Sequence, residues 1–126
     1  GPDLGAVADA IAAVTSDIPG RTVLIAAADL SHIGQRFGDP EPTTDEFLDS
    51  VGRSDRALLD LLEARSEEQF LERLRGTENE TRVCSAGCLY TLLRALPGRP
   101  CRILRYHQAV DRAAETHVTC AAGVVS

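Results

Sequence analysis

The sequence has no lysine: all 13 of its basic residues are arginine, against 19 acidic ones and a formal net charge of −6. An acidic chain repels phosphate backbones, so general nucleic-acid binding is not expected. The lysine gap, beside abundant alanine and arginine, is read as coding composition rather than as an activity. Methionine is absent as well. No apolar run reaches the roughly 18 residues of a membrane-spanning helix. Residues 1–20 also lack a charged leader followed by an apolar block. The expectation is a cytoplasmic protein with no membrane partner. A phosphate loop, a dinucleotide-binding glycine pattern, H-E-x-x-H and G-x-S-x-G are all missing, which sets aside the common nucleotide, zinc-protease and esterase readings. The four cysteines, Cys84, Cys88, Cys101 and Cys120, form no C-x-x-C pair. In a cytosolic protein they are expected as reduced thiols, most of them buried as small apolar groups.

What is present suits one compact domain: 126 residues, 44% of them apolar, enough for a core of its own. Residues 4–16 are alanine-rich with helical spacing, and Pro19-Gly20 closes that helix. The short apolar run 21–28 (RTVLIAAA) predicts a buried strand of the parallel-sheet kind. Residues 29–42 are rich in Gly, Pro and Asp and read as a long loop leaving that strand, at the sheet edge where α/β proteins bind ligands. Thr43 or Thr44 can cap a short helix burying Phe47, Leu48 and Val51. A second helix follows Ser54, with Leu58, Leu59, Leu61 and Leu62 inward. A third, near 66–75, starts with capping-box spacing at Ser66 and Gln69 and stops at Gly76. Leu89, Leu92, Leu93 and Leu96 mark a further amphipathic helix. Strands near 101–108 and 117–125 finish the chain, separated by a polar segment expected to be mobile. The predicted class is α/β: at least three strands packed with four or five helices.

Two places could carry chemistry. Asp29 ends an apolar run and must be hydrogen-bonded or solvated, because burying a bare carboxylate is costly. His32 lies three residues on, and a carboxylate near an imidazole can fix its tautomer and raise its basicity, as a metal ligand or an acid/base pair requires. The plain alternative is that Asp29 caps a turn and His32 bonds a backbone carbonyl. The second place is Cys84, before a predicted helix with Ser85 as a candidate N-cap; the helix start favours a thiolate, the form that binds soft or borderline metals. The alternative there is a buried thiol. Cys88 is expected in the core, His107 and His117 at surface or edge positions, and Tyr106 as a packing residue. Arg36 is a candidate for holding an anionic substrate group, or a solvated loop arginine. Ser31-His32-Asp29 as a hydrolase triad is discounted, since near-adjacent residues rarely aim at one point.

The stretch Ala28-Asp29-Leu30-Ser31-His32-Ile33-Gly34-Gln35-Arg36-Phe37-Gly38 resembles the signature loop of the Memo family, also met as AmmeMemoRadiSam system protein B. Val83-Cys84, Tyr106-His107-Gln108 and Val118-Thr119-Cys120-Ala121-Ala122 extend the resemblance over nearly the whole chain. It implies a fold similar to class III extradiol dioxygenases and a metal pocket made by two amino-terminal histidines and a later cysteine, with an Asp-x-x-His pair close by. Carried onto this sequence, Cys84 is the cysteine, and Asp29 and His32 are the pair. The two histidines have no counterpart, so the chain is expected to be the carboxy-terminal half of a longer protein. Its site would then be completed by an amino-terminal half or a partner chain. Ser85 departs from the glycine that usually follows the cysteine, and His107 replaces a small polar residue. The implied function is a metal-dependent redox or dioxygenase-like activity using iron or copper on a small-molecule or peptide ligand. Cys84 and His32 would be metal ligands, His32 and Asp29 catalytic groups, and Arg36 substrate-binding. The alternative is a non-catalytic peptide- or anion-binding module using the same pocket.

Overall fold

The computed structural model describes residues 3–126. It is an α/β chain with four α-helices, α1 (Leu4–Asp17), α2 (Asp45–Glu63), α3 (Glu67–Gly76) and α4 (Ala86–Ala95), and three strands, β1 (His32–Ile33), β2 (Cys101–Asp111) and β3 (Thr116–Val125). The sheet order is β1-β3-β2, with both pairings antiparallel.

Asp3 caps α1, its side chain accepting from the Ala6 N–H. The helix lies against α4, and its alanine content permits a close approach there: Ala8 is fully buried. Thr44 caps α2 by accepting from the Phe47 N–H, with Asp45 and Glu46 beside the positive helix end. The two helices expected on either side of Ser54 are one. No proline interrupts residues 45–63, and Val51, Leu58, Leu59 and Leu62 keep a single buried stripe through the supposed break. The Ser66 side chain makes no capping hydrogen bond, so the expected capping box is not formed. The main core joins Leu58, Leu59 and Leu62 of α2, Phe70 and Leu74 of α3, Leu93 of α4, and Leu30 and Val83 from the connecting segments. A smaller cluster, Ile33, Leu48 and Val51, lies under the loop that follows β1.

The last two strands form a hairpin whose connection is a four-residue turn rather than a long segment. Leu104 is the extra residue of a bulge between Ile103 and Arg105. It puts Leu104 and Arg105 both outward, so that Tyr106 and Gln108 return to the helix-facing side.

The expected strand at 21–28 does not form. Backbone–backbone hydrogen bonds are absent from residues 19–29 among the described residues. Leu24, Ala26 and Ala28 are partly buried and line a cavity of roughly 370 Å³, while Val23 and Ile25 are 79% and 85% exposed. The side chains alternate as a strand's do, but a strand exists only with a neighbour to close its ladder, and among the described residues no segment pairs with this stretch. Pairing starts later than the sequence suggests, where the Leu30 N–H donates to the Thr119 carbonyl and the Thr119 N–H to the Ser31 carbonyl. The strand that continues it lies inside the expected loop, at His32–Ile33.

Candidate functional site

The loop after β1 is built around Gly34. Its φ is +115°, and a Cβ placed there would stand 2.2 Å from the Glu115 carbonyl oxygen, so only glycine allows the loop to press against the hairpin turn. The Gly34 N–H donates to Asp39 and the Arg36 N–H to the Glu115 carbonyl. The Phe37 ring meets the His32 ring edge-on at 5.4 Å.

His32 is gripped from the 79–83 segment. Its N–H donates to the Thr81 carbonyl at 2.7 Å. Its Nδ1 lies 3.0 Å from the Arg82 carbonyl oxygen and 3.1 Å from that of Leu30. Both are acceptors only, so Nδ1 carries the ring hydrogen and the neutral imidazole presents a bare Nε2. That nitrogen is 3.9 Å from Cys84 Sγ and 3.9 Å from Asp29 Oδ2. Asn79 holds the segment that brings the thiol: its side chain accepts from the Val83 N–H and donates to the Val83 carbonyl. Ser85 stands at the N-cap of α4 without a capping side-chain bond, and its hydroxyl instead lies 3.4 Å from Cys84 Sγ.

Asp29, His32 and Cys84 therefore converge on one place, although 55 positions of chain separate the first from the last. His32 does bond backbone carbonyls, as the plain alternative held, but through the nitrogen that leaves the other one free. Cys84 is exposed rather than a buried thiol. Arg36 sits on the short 3-10 turn after Gly34 with its guanidinium exposed and, among the described residues, unpaired. Cys88 is exposed too, not in the core, because it faces the side of α4 turned toward α1 and the unpaired 24–26 stretch. Ser31 points away from His32 and is fully buried.

Behind this face lies a buried polar cluster that sequence reading missed. Asp55, on the apolar stripe of α2, is 0% exposed. It accepts hydrogen bonds from Ser31 Oγ at 2.7 Å, Thr119 Oγ1 at 2.6 Å and Tyr106 OH at 2.6 Å. Tyr106 is thus more than a packing residue; burial, and then its bond to Asp55, push the phenol well above its ordinary range. The available signal was an aspartate in register with Val51, Leu58, Leu59 and Leu62. His117 is likewise fully buried rather than at an edge. Its Nδ1 accepts from the Asp111 N–H, and its Nε2 lies 3.5 Å from Glu115 Oε2. Partial burial would raise the Glu115 carboxyl, but hydrogen bonds from the Thr43 N–H and hydroxyl and the nearby His117 ring outweigh it and hold it below its ordinary value.

The donor chemistry fits a soft or borderline ion in part. Bonds of about 2.3 Å to sulfur and about 2.0 Å to nitrogen let one ion span the gap between Cys84 and His32. Among the described residues, no group of three or more His, Cys, Asp or Glu side chains is arranged to hold an ion. No described helix is long and apolar enough to cross a membrane.

A chain of this kind, α/β with a thiol, an imidazole and a carboxylate gathered at one edge of its sheet, is a candidate for metal or acid–base chemistry. Residues 3–125 match the family of Memo-like proteins. A MEMO1 family protein of Thermus thermophilus is 33% identical over 124 residues, which is 98% of this chain and 35% of the relative. The chain belongs to the Memo-like family, and it spans about a third of the length of the curated relative it matches.

Proposed function

We propose that this chain supplies one wall of the metal centre of a metal-dependent, dioxygenase-like oxidoreductase. Cys84 and His32 are its ligands to iron or copper, and Asp29 is the carboxylate that orients or exchanges protons with the site. Arg36 is the anchor for an anionic part of the substrate. Further ligands come from polypeptide beyond these residues or from a partner chain. When bound, the ion would supply redox and Lewis-acid chemistry. The chain's own contribution is to hold a sulfur and a bare imidazole nitrogen side by side, with a carboxylate at the same ring edge.

The observation that supports this reading is the 3.9 Å between Cys84 Sγ and His32 Nε2, with Nδ1 already committed to two carbonyls. A ligating histidine is commonly held through its other nitrogen in this way. The test is metal content and ferrous or cuprous affinity of the full encoded polypeptide, purified without oxygen. Cys84→Ala and His32→Ala should each lose metal, whereas Cys88→Ala, on α4 four residues beyond Cys84, should not. Oxygen uptake with catechol-like compounds then tests turnover. Undiminished metal in both site variants would overturn the assignment and return the pocket to a non-catalytic peptide- or anion-binding role.

A further inference from the structure

A carboxylate in a helix's apolar stripe is expensive to bury, and an aliphatic side chain there would stabilise the fold at lower cost. Among the described residues Asp55 is buried without a cation: its three partners are the neutral hydroxyls of Ser31, Thr119 and Tyr106. An ionised carboxylate only accepts, so each hydroxyl must spend its single hydrogen on it. That fixes what the hydroxyls do next. Thr119 Oγ1, its hydrogen given to Asp55, is left to accept the Ser31 N–H at 2.9 Å. Ser31 Oγ stands 2.8 Å from the Thr81 hydroxyl oxygen; with its one hydrogen committed to Asp55, the hydrogen of that contact must come from Thr81. One anion thereby directs the bonds that join residue 31 to residues 81 and 119. The next residues along are His32 and Arg82, whose contact sets the imidazole tautomer.

We propose that Asp55 is a positioning residue for His32: through Ser31 and Thr81 it fixes the two backbone segments whose register aims Nε2 at Cys84. The metal-affinity part of this proposal rests on the reading above; the positioning of the ring does not. Three substitutions separate positioning from general stability. Ser31→Ala and Tyr106→Phe each remove one hydroxyl from the same carboxylate, but only Ser31 adjoins His32. Asp55→Asn removes the charge that orients all three.

The experiment is nitrogen NMR of the His32 imidazole in the full encoded polypeptide, together with anaerobic ferrous-ion titration. The wild type should show a protonated Nδ1 and a bare Nε2. Ser31→Ala and Asp55→Asn should shift this pattern toward a mixture of tautomers and weaken ferrous binding about 10-fold, as loss of a group behind a ligand does. Tyr106→Phe should keep the wild-type pattern and affinity. An equal disturbance in Ser31→Ala and Tyr106→Phe, or none in Ser31→Ala, overturns the proposal, and Ser31→Ala decides it even if Asp55→Asn fails to fold. If the tautomer differences hold while no variant or wild type binds ferrous ion, the metal reading fails and the positioning role stands.

Discussion

Arg82 holds His32 from two sides. Its carbonyl oxygen faces the ring Nδ1 at 3.0 Å, and its Nη1 donates to the His32 carbonyl at 3.1 Å. To do both, Arg82 takes a left-handed backbone, φ +58°, which costs an L-residue about 1–2 kcal/mol. Its other guanidinium nitrogen reaches Asp39 at 2.9 Å and so ties the loop after β1 to the same grip.

Arg82→Ala should therefore keep the strained backbone and lose the guanidinium bonds. Arg82→Gly loses the same bonds but relieves the strain, and should be more stable than Arg82→Ala by about 1 kcal/mol. Urea unfolding of both variants measures the difference. Equal stability would show that the left-handed turn is not kept once the side chain is removed.

Gly34→Ala should be among the most damaging single changes in the loop. The new Cβ would meet a backbone carbonyl at 2.2 Å and sit at a φ of +115°, so a loss of about 2–4 kcal/mol is expected. The His32–Phe37 contact should be lost with it, readable as a change in the His32 ring-proton shifts.

The hairpin turn should respond to acid through Glu115. Its carboxyl is held below the ordinary value. A group depressed in the folded state contributes stability above its unfolded value, and that contribution is lost as pH falls through the folded one. The urea midpoint of the wild type should therefore fall below about pH 4.5, the region where unfolded carboxyls titrate. Glu115→Gln should start from a lower midpoint and show a smaller acid-induced fall. An identical acid profile in the two proteins would exclude the Thr43–Glu115–His117 contact as the source.

The unpaired 19–29 stretch makes its own prediction for this chain in isolation. Ile25 is 85% exposed and Leu30 is 2% exposed. Ile25→Ser should change stability by no more than about 0.5 kcal/mol, whereas Leu30→Ala should cost about 2–5 kcal/mol. Backbone amides of residues 20–29 should exchange with solvent rapidly, and that of Leu30, bonded to Thr119, slowly.

The helices were legible because their signals are local: caps such as Thr44 and stripes such as Leu58, Leu59 and Leu62 depend only on neighbours along the chain. The break expected near Ser54 does not occur, because a serine can start a helix but the buried stripe continues through it. Residues 21–28 depart from expectation for the opposite reason. Their alternation is that of a strand, but a strand needs a partner, and a partner is never a local property. The candidate site was legible by residue type: Asp29, His32 and Cys84 stood out, and they do meet. Arg82, Glu115 and His117 did not stand out, because each looks like an ordinary surface residue until the elements around it are assembled; Asp55 was marked only by its register with the apolar stripe of α2.

The order of residues by itself determined which groups are candidates for chemistry, where α1, α3 and α4 run, that residues 45–63 are helical, and that the last two segments are strands with alternating faces. Tertiary structure alone decided that Cys84 Sγ lies 3.9 Å from His32 Nε2, which imidazole nitrogen is bare, and that a carboxylate lies at the heart of α2. The physical reason is range. Periodicity and capping act over a few residues of chain, whereas hydrogen-bond direction and burial are set by atoms brought together from segments 24 to 88 positions apart.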